Sequence, residues 1–83
     1  MKIATIKHIV NYRLEIVYDN GMKKVIDLEK FLKSSNHPLI NKYLDISLFS
    51  QVYLDVQGVP CWGDNEFDIN PQSIFNDEFT VYD

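Results

Sequence analysis

Residues 12–28, YRLEIVYDNGMKKVIDL, decide the fold of this 83-residue chain. From Tyr12 to Tyr18 apolar and polar side chains alternate, which is the period of a β-strand with one buried face. Asp19-Asn20-Gly21 comes next, and Asn-Gly between two such runs is a strong hairpin signal. The stretch therefore predicts a two-stranded antiparallel hairpin in which Gly21 adopts a positive φ angle.

The register of this hairpin has two alternatives. A two-residue loop sets Leu14 against Asp27. A three-residue loop with a Gly bulge pairs Tyr18 with Met22 and sets Leu14 against Ile26. Because a slip of one residue turns every side chain to the other face of the sheet, burial of the apolar positions favours the second register.

Short helices are predicted after the hairpin. Asp27 can cap a helix whose apolar side chains recur at i, i+3 and i+4 within residues 28–32. Pro38 suits the first turn of a second helix, and Asp45 can cap one further turn.

Further strands are predicted at residues 3–10, which are rich in β-branched side chains, and at residues 51–57, which alternate again. Residues 59–62 return after a turn. Pro60 has no N–H to donate to a ladder, so this last strand is predicted to lie at a sheet edge. Asn70-Pro71 predicts a final short helix.

The order of these elements predicts an α+β fold, with antiparallel hairpins and short central helices. A length of 83 residues predicts a single domain over residues 1–83. Its core is expected within residues 3–75. The acidic residues 76–83 either add a strand to a sheet edge or form a loose tail.

Charge is divided unevenly along the chain. Residues 1–42 carry all eight Lys and Arg residues and four acids, which gives +4. Residues 43–83 carry eight acids and no Lys or Arg, which gives −8 and a formal net charge of −4. This balance argues against binding to nucleic acid, whose affinity rests on neutralised phosphates, and it favours a basic protein partner.

The remaining composition predicts a cytoplasmic protein. A single cysteine, Cys61, excludes an intramolecular disulfide and is typical of a reducing compartment. No apolar run approaches the ~20 residues that span a bilayer. The charged start around Lys2 is unlike a signal peptide. No cofactor is predicted.

Cys61 is the only thiol, and His8 and His37 are the only imidazoles. A Cys–His pair is the minimum for thiol catalysis, but nothing in the spacing brings either His to Cys61. We therefore interpret Cys61 as a packing residue.

Asp64, Glu66 and Asp68 alternate like the first ligands of a calcium loop. That motif needs Gly at its sixth position and Glu at its twelfth, where this chain has Ile69 and Phe75. The three acids are therefore predicted to form a solvated surface, without a metal ion.

Trp62 has two interpretations. Core packing is favoured because aromatic side chains dominate small cores, and the alternative is an anchor in a protein interface, where Trp is enriched. The candidate interface predicted from the sequence consists of Pro60, Trp62, Asp64, Glu66 and Asp68.

The chain also resembles a bacterial domain-of-unknown-function family, number 2442. The resemblance rests on motifs in a shared order across most of residues 3–75. They are Leu14-Glu15-Ile16-Val17-Tyr18-Asp19-Asn20-Gly21, Asp27-Leu28, Phe49 with Val52-Tyr53-Leu54-Asp55, Val59-Pro60-Cys61-Trp62-Gly63, and Asp68-Ile69-Asn70-Pro71 before Ile74-Phe75.

The resemblance implies a small α+β domain of a cytoplasmic bacterial protein with no established activity or catalytic residues. Some members carry a helix-turn-helix domain, for which this chain is expected to have no room after Phe75. Others are encoded beside a second small protein, an arrangement that looks like a toxin–antitoxin pair. The acidic end of this chain departs from the family pattern.

Two hypotheses follow. The first is a protein-interaction or regulatory module that acts as a dimer or with a second protein. Its more specific form is the acidic partner of a toxin–antitoxin-like pair. The alternative is a small enzyme or ligand-binding domain that uses Cys61 or the acids at 64–68. A reactive thiol would favour the alternative, and a slow one favours the first.

Overall fold

The computed structural model describes residues 2–82 and shows an α+β fold. Two three-stranded antiparallel sheets carry four short α-helices and one 3-10 turn between or after them. In chain order the elements are β1 (Ile3–Val10), β2 (Arg13–Tyr18), β3 (Lys23–Asp27), α1 (Glu29–Ser34), α2 (Pro38–Asn41), the 3-10 turn (Lys42–Leu44), α3 (Ile46–Phe49), β4 (Tyr53–Leu54), β5 (Pro60–Trp62), β6 (Phe67–Asp68) and α4 (Pro71–Phe75).

The first sheet has the order β1-β2-β3, and its central hairpin has the predicted register. Leu14 pairs with Ile26, and the Tyr18 N–H donates to the Met22 carbonyl at 2.8 Å. Gly21 has φ +87°, as predicted for this loop. Burial of the apolar face selected the register, and the positive φ of Gly21 closes the loop.

The helix starts agree with the capping residues seen in the sequence. Asp45 and Asn70 accept backbone N–H bonds at the starts of α3 and α4. The first helix is the exception to the prediction: the N-cap of α1 is Leu28, without a side-chain cap bond, and Asp27, two residues before the helix start, accepts from the Glu29 N–H at 2.9 Å. Pro38 occupies the first position of α2, where its missing N–H costs nothing.

Strand β4 is shorter than the predicted strand over residues 51–57. Asp55 accepts bonds from the N–H groups of Gln57 and Val59, and this turn ends the strand at Leu54. Val56 consequently lies in the turn and is fully exposed.

The prediction that Pro60 lies in an edge strand is wrong. Strand β5 is the central strand of the second sheet, whose order is β4-β5-β6. Pro60 pairs with Leu54 on one side, and on the other its carbonyl accepts from the Ile69 N–H at 3.0 Å. Pro60 is tolerated because it is the first residue of the strand and contributes an acceptor.

One hydrophobic core joins the two sheets and the helices. Its buried residues come from every layer: Ile3, Leu14, Ile16, Tyr18, Ile26, Leu28, Leu32, Tyr43, Phe49, Trp62, Phe67, Ile69 and Ile74. Among residues 2–82, no helix has the length and apolar character to cross a membrane.

The segment after α4 adds to the free edge of β3. Thr80 forms an antiparallel bridge with Ile26, the Asp27 N–H donates to the Phe79 carbonyl, and the Val81 N–H donates to Val25. Of the two alternatives for residues 76–83, pairing with a sheet edge is the one found, as an isolated bridge at Thr80 with flanking bonds through Val81. Asp83 lies outside the described residues.

Lys24 holds this segment in place. Its ammonium group donates to the Ile74 and Phe75 carbonyls at 3.1 and 3.0 Å and to an Asp77 oxygen at 2.6 Å. Two of these acceptors are at the C-terminal end of α4, where a cation is favourable. Lys24 is therefore not a solvated residue of the hairpin, and its side chain is only 13% exposed.

We expect Lys24→Met to lower the free energy of unfolding by about 1–2 kcal/mol, because it removes charge-assisted hydrogen bonds while keeping the apolar stem. Amide exchange at Val81 should become faster as residues 79–81 detach. Urea unfolding and hydrogen exchange measure the two effects. Lys23→Met is the matched control, since Lys23 is exposed, and it should change neither. Equal effects at both positions would contradict the role of Lys24 in holding residues 79–81 against β3.

Candidate functional site

The residues predicted to form an interface do not lie on one surface. Trp62 is fully buried, and its indole N–H donates to the Phe49 carbonyl at 2.8 Å. Pro60 is buried as well. Both belong to the interior, so neither side chain is available as an anchor on the surface of the folded chain.

Glu66 is occupied by two neighbours. Its Oε1 accepts from Lys42 at 2.7 Å and from the Tyr43 hydroxyl at 2.9 Å. Hydrogen bonds from Lys42 and Tyr43 lower the pKa of Glu66. Burial is the largest of the causes that raise the pKa of Tyr43, to about 12. Glu66 is thus part of the scaffold, and only Asp64 and Asp68 of the predicted acids stay exposed without a side-chain bond among residues 2–82.

Folding brings the two charged halves of the chain together. Two salt bridges join a base of the first half to an acid of the second, Lys24 to Asp77 and Lys42 to Glu66. The −8 of the second half is therefore partly neutralised within the molecule, and the acids that remain available are fewer than the sequence suggests.

Cys61 is buried beneath Tyr53 on the face of β5 opposite Trp62. The two residues are directly paired across strands β4 and β5, so their side chains share one face. The Tyr53 hydroxyl donates to the Gly63 carbonyl at 2.6 Å, and the Tyr53 ring therefore extends over Cys61. The largest cause that raises the pKa of Tyr53 is a hydrogen bond with the Cys61 thiol. Cys61 is 1% exposed as a result.

We expect Tyr53→Ala to uncover this thiol. Its reaction with a disulfide reagent should become faster by about tenfold or more, because exposure limits thiol reactivity in the parent. Tyr53→Phe is the control: it keeps the ring and loses only the hydroxyl, so the thiol should stay slow. A parent thiol that already reacts at the rate of a free cysteine would contradict this arrangement.

A concave surface lies elsewhere, between α1 and the segment after α4. This acidic cleft has a volume of about 650 Å³. Its wall includes three acids, one lysine and two aromatic rings; the residues used below are Asp27, Glu29, Lys30, Phe31, Glu78 and Phe79. The rings of Phe31 and Phe79 meet edge to face at 5.8 Å and give the cleft an apolar floor.

The three carboxylates of the acidic cleft differ in how firmly they are held. Asp27 is bonded to Arg13 at 3.2 Å and also accepts from the Glu29 N–H at 2.9 Å. Glu29 pairs with Lys33, but both side chains are exposed, and solvent screening leaves such a surface pair with little net stabilisation. Glu78 has no hydrogen-bond or salt-bridge partner among the described side chains. Glu29 and Glu78 are therefore available to a ligand.

Sequence reasoning did not find this cleft. Its two walls lie about fifty residues apart in the chain and meet only because Thr80 pairs with Ile26. The one local signal was the pattern of acids beside Phe residues, at Glu29 and Phe31 and again at Glu78 and Phe79.

Comparison of the chain with family models, with curated proteins and with solved structures gives no match. The resemblance to family 2442 therefore stays a prediction. Within residues 2–82, no three His, Cys, Asp or Glu side chains are grouped to hold a metal ion.

Proposed function

We propose that this chain is a protein-interaction module that binds a basic, extended segment of a partner in the acidic cleft. The observation that supports this most is the cleft itself, which combines a concave shape, an aromatic floor and carboxylates on its rim. Aromatic surface supplies affinity in such sites, and opposite charge speeds encounter and favours the correct partner.

The partner segment pairs with the backbone groups of Thr80, which lie at the edge of the first sheet. The bonds to β3 are made by the Phe79 carbonyl and the Val81 N–H. In an antiparallel ladder, the backbone groups of the residue between them, Thr80, then face away from β3. An extended segment could add there as a further strand, which is a common way for sheets to bind peptides.

Charge selects a basic segment. Among the described residues, three of the four charged side chains that line the acidic cleft are acids. An Arg or Lys of the partner could replace Lys33 at Glu29, pair with Glu78, and lie against the ring of Phe31 or Phe79.

The finer form of the proposal concerns the cellular setting. The resemblance to family 2442 supports a bacterial cytoplasmic protein, and the acidic cleft supports the acidic role in a two-protein, toxin–antitoxin-like system. Pairing of two copies is the other form of association, because the strand edges at Thr80 and β1 both offer backbone groups. Light scattering over a wide concentration range separates a dimer from a monomer.

The test uses a six-residue peptide of alternating Arg and Val, with a Glu–Val peptide as its counterpart. We expect amide shifts at residues 27–34 and 78–81 with the basic peptide only. Glu78→Lys should weaken its binding about tenfold, because it replaces an attraction by a repulsion at the site.

Asp64→Lys makes the same change of charge at the exposed turn between β5 and β6, outside the acidic cleft, and should weaken binding about twofold or less at ordinary salt. Equal weakening by the two variants would mean that only net charge is sensed. Binding of both peptides, binding of neither, or shifts centred on residues 64–68, would each overturn the proposal.

A further inference from the structure

A second cavity lies where the start of β1, the turn after β4 and the start of α4 meet. We name it the Tyr18 cavity. Its volume is about 280 Å³, just below the ~300–1,000 Å³ of sites for drug-sized ligands. It shares no residue with the acidic cleft.

The Tyr18 hydroxyl lacks a hydrogen-bond partner among the described residues, although Tyr18 is 3% exposed. Buried hydroxyl groups in folded proteins nearly always have a partner, so an orphan requires an explanation. Tyr18 belongs to the cavity wall, and its hydroxyl oxygen is closed off from solvent, so a ligand in the cavity supplies the missing partner once a neighbouring side chain turns aside.

The walls of the Tyr18 cavity define the chemistry of that ligand. Lys2 is the only charged side chain among the described residues that line it, so an anion is favoured. Gln57 and Gln72 add amide groups, while Ile3 and Phe75 add apolar surface. Phe75 packs edge to face against the Tyr18 ring at 6.4 Å and is nevertheless 47% exposed, which is a large exposure for an aromatic ring.

We propose that the Tyr18 cavity binds a small carboxylic acid with an apolar body. The carboxylate pairs with the Lys2 ammonium group and accepts a hydrogen bond from the Tyr18 hydroxyl. The apolar body lies against Ile3 and Phe75. Lys2 is exposed and Phe75 half-exposed, so either side chain can turn aside to admit the ligand.

The probe is benzoate, and benzamide is its neutral counterpart of nearly the same shape. Titration of the full chain followed by amide NMR should give saturable shifts for benzoate at Ile3, Gly58 and Gln72, and weaker binding of benzamide. Tyr18→Phe keeps the ring and the core, and should weaken benzoate binding about tenfold, because a hydrogen bond to a charged group is lost. The melting temperature of Tyr18→Phe verifies that the variant is folded.

Lys2→Gln should abolish the preference for benzoate over benzamide, whereas Lys7→Gln, within β1 but outside the cavity, should leave it unchanged. The proposal would be overturned by shifts that do not saturate or that spread over the surface. Equal binding of benzoate and benzamide would overturn it as well. Unchanged affinity in a folded Tyr18→Phe variant would show that the hydroxyl serves no ligand, as when a buried water is its partner.

Discussion

Replacement of Trp62 by Ala is expected to lower the free energy of unfolding by about 3–5 kcal/mol, the usual cost of removing a fully buried large aromatic side chain. Trp62 stacks on Phe67 at 4.7 Å and on Phe49 at 5.5 Å. Its loss also leaves the Phe49 carbonyl without the 2.8 Å indole bond. For 83 residues the total stability is of order 4–12 kcal/mol, so Trp62→Ala brings the domain close to unfolding.

Chemical unfolding followed by circular dichroism measures this loss, and Trp62→Phe is the control. Phe keeps an aromatic ring in the stack but cannot donate to Phe49, so it should cost about 1–2 kcal/mol. An unfolding midpoint for Trp62→Ala that equals the parent's would contradict the buried position. Any loss of partner binding in Trp62→Ala follows from lost folding, so this variant cannot serve to map an interface.

Local patterns in the sequence were sufficient for the first sheet. Alternation and Asp19-Asn20-Gly21 together predicted the strands, the register and the positive φ of Gly21, because each of these is fixed by residues close in the chain. Capping at Asp45 and Asn70 was predicted for the same reason.

The second sheet was predicted less well. Strand β6 consists only of Phe67–Asp68. Two residues carry no periodic signal, so the strand that makes Pro60 central was not foreseen. Core packing was the favoured interpretation of Trp62, and it is the one found, since Trp62 is fully buried. The alternative stayed open because large aromatic residues are common in cores and in interfaces alike.

The roles of charged residues depended on contacts that no local pattern reveals. Lys24 and Asp77 are 53 positions apart, and Lys42 and Glu66 are 24 apart. The sequence showed an uneven distribution of charge, and folding joined two of the eight acids of residues 43–83 to bases of residues 1–42. The acidic cleft was missed for the same reason, since its walls are distant in the chain.

Replacement of Gly63 by Ala is expected to cost about 2–4 kcal/mol, through backbone strain and a steric conflict. Gly63 has φ +65°, which L residues rarely adopt. A Cβ atom there would lie 2.4 Å from a Glu66 carboxylate oxygen and 2.9 Å from the Tyr43 hydroxyl. Tyr43 is buried and cannot retreat. Glu66 would have to move, and would lose its bonds to Lys42 and Tyr43.

Gly21→Ala separates the two causes of this loss. Gly21 also has a positive φ, but no atom lies within 4 Å of the added Cβ, so only the strain of about 1 kcal/mol applies. Unfolding in urea gives both costs, and equal costs would show that Glu66 and Tyr43 do not constrain Gly63.

A pH titration gives an independent result. The pKa of Glu66 is lowered in the folded parent, so its contribution is present above the unfolded pKa and is lost as the pH falls through the folded pKa. In Gly63→Ala the displaced carboxylate should titrate closer to an ordinary Glu, and this acid-dependent part of the stability should shrink. A Glu66 pKa that stays as low as in the parent would mean that the carboxylate keeps Lys42 and Tyr43, and the conflict at Gly63 would then have to be relieved by the backbone.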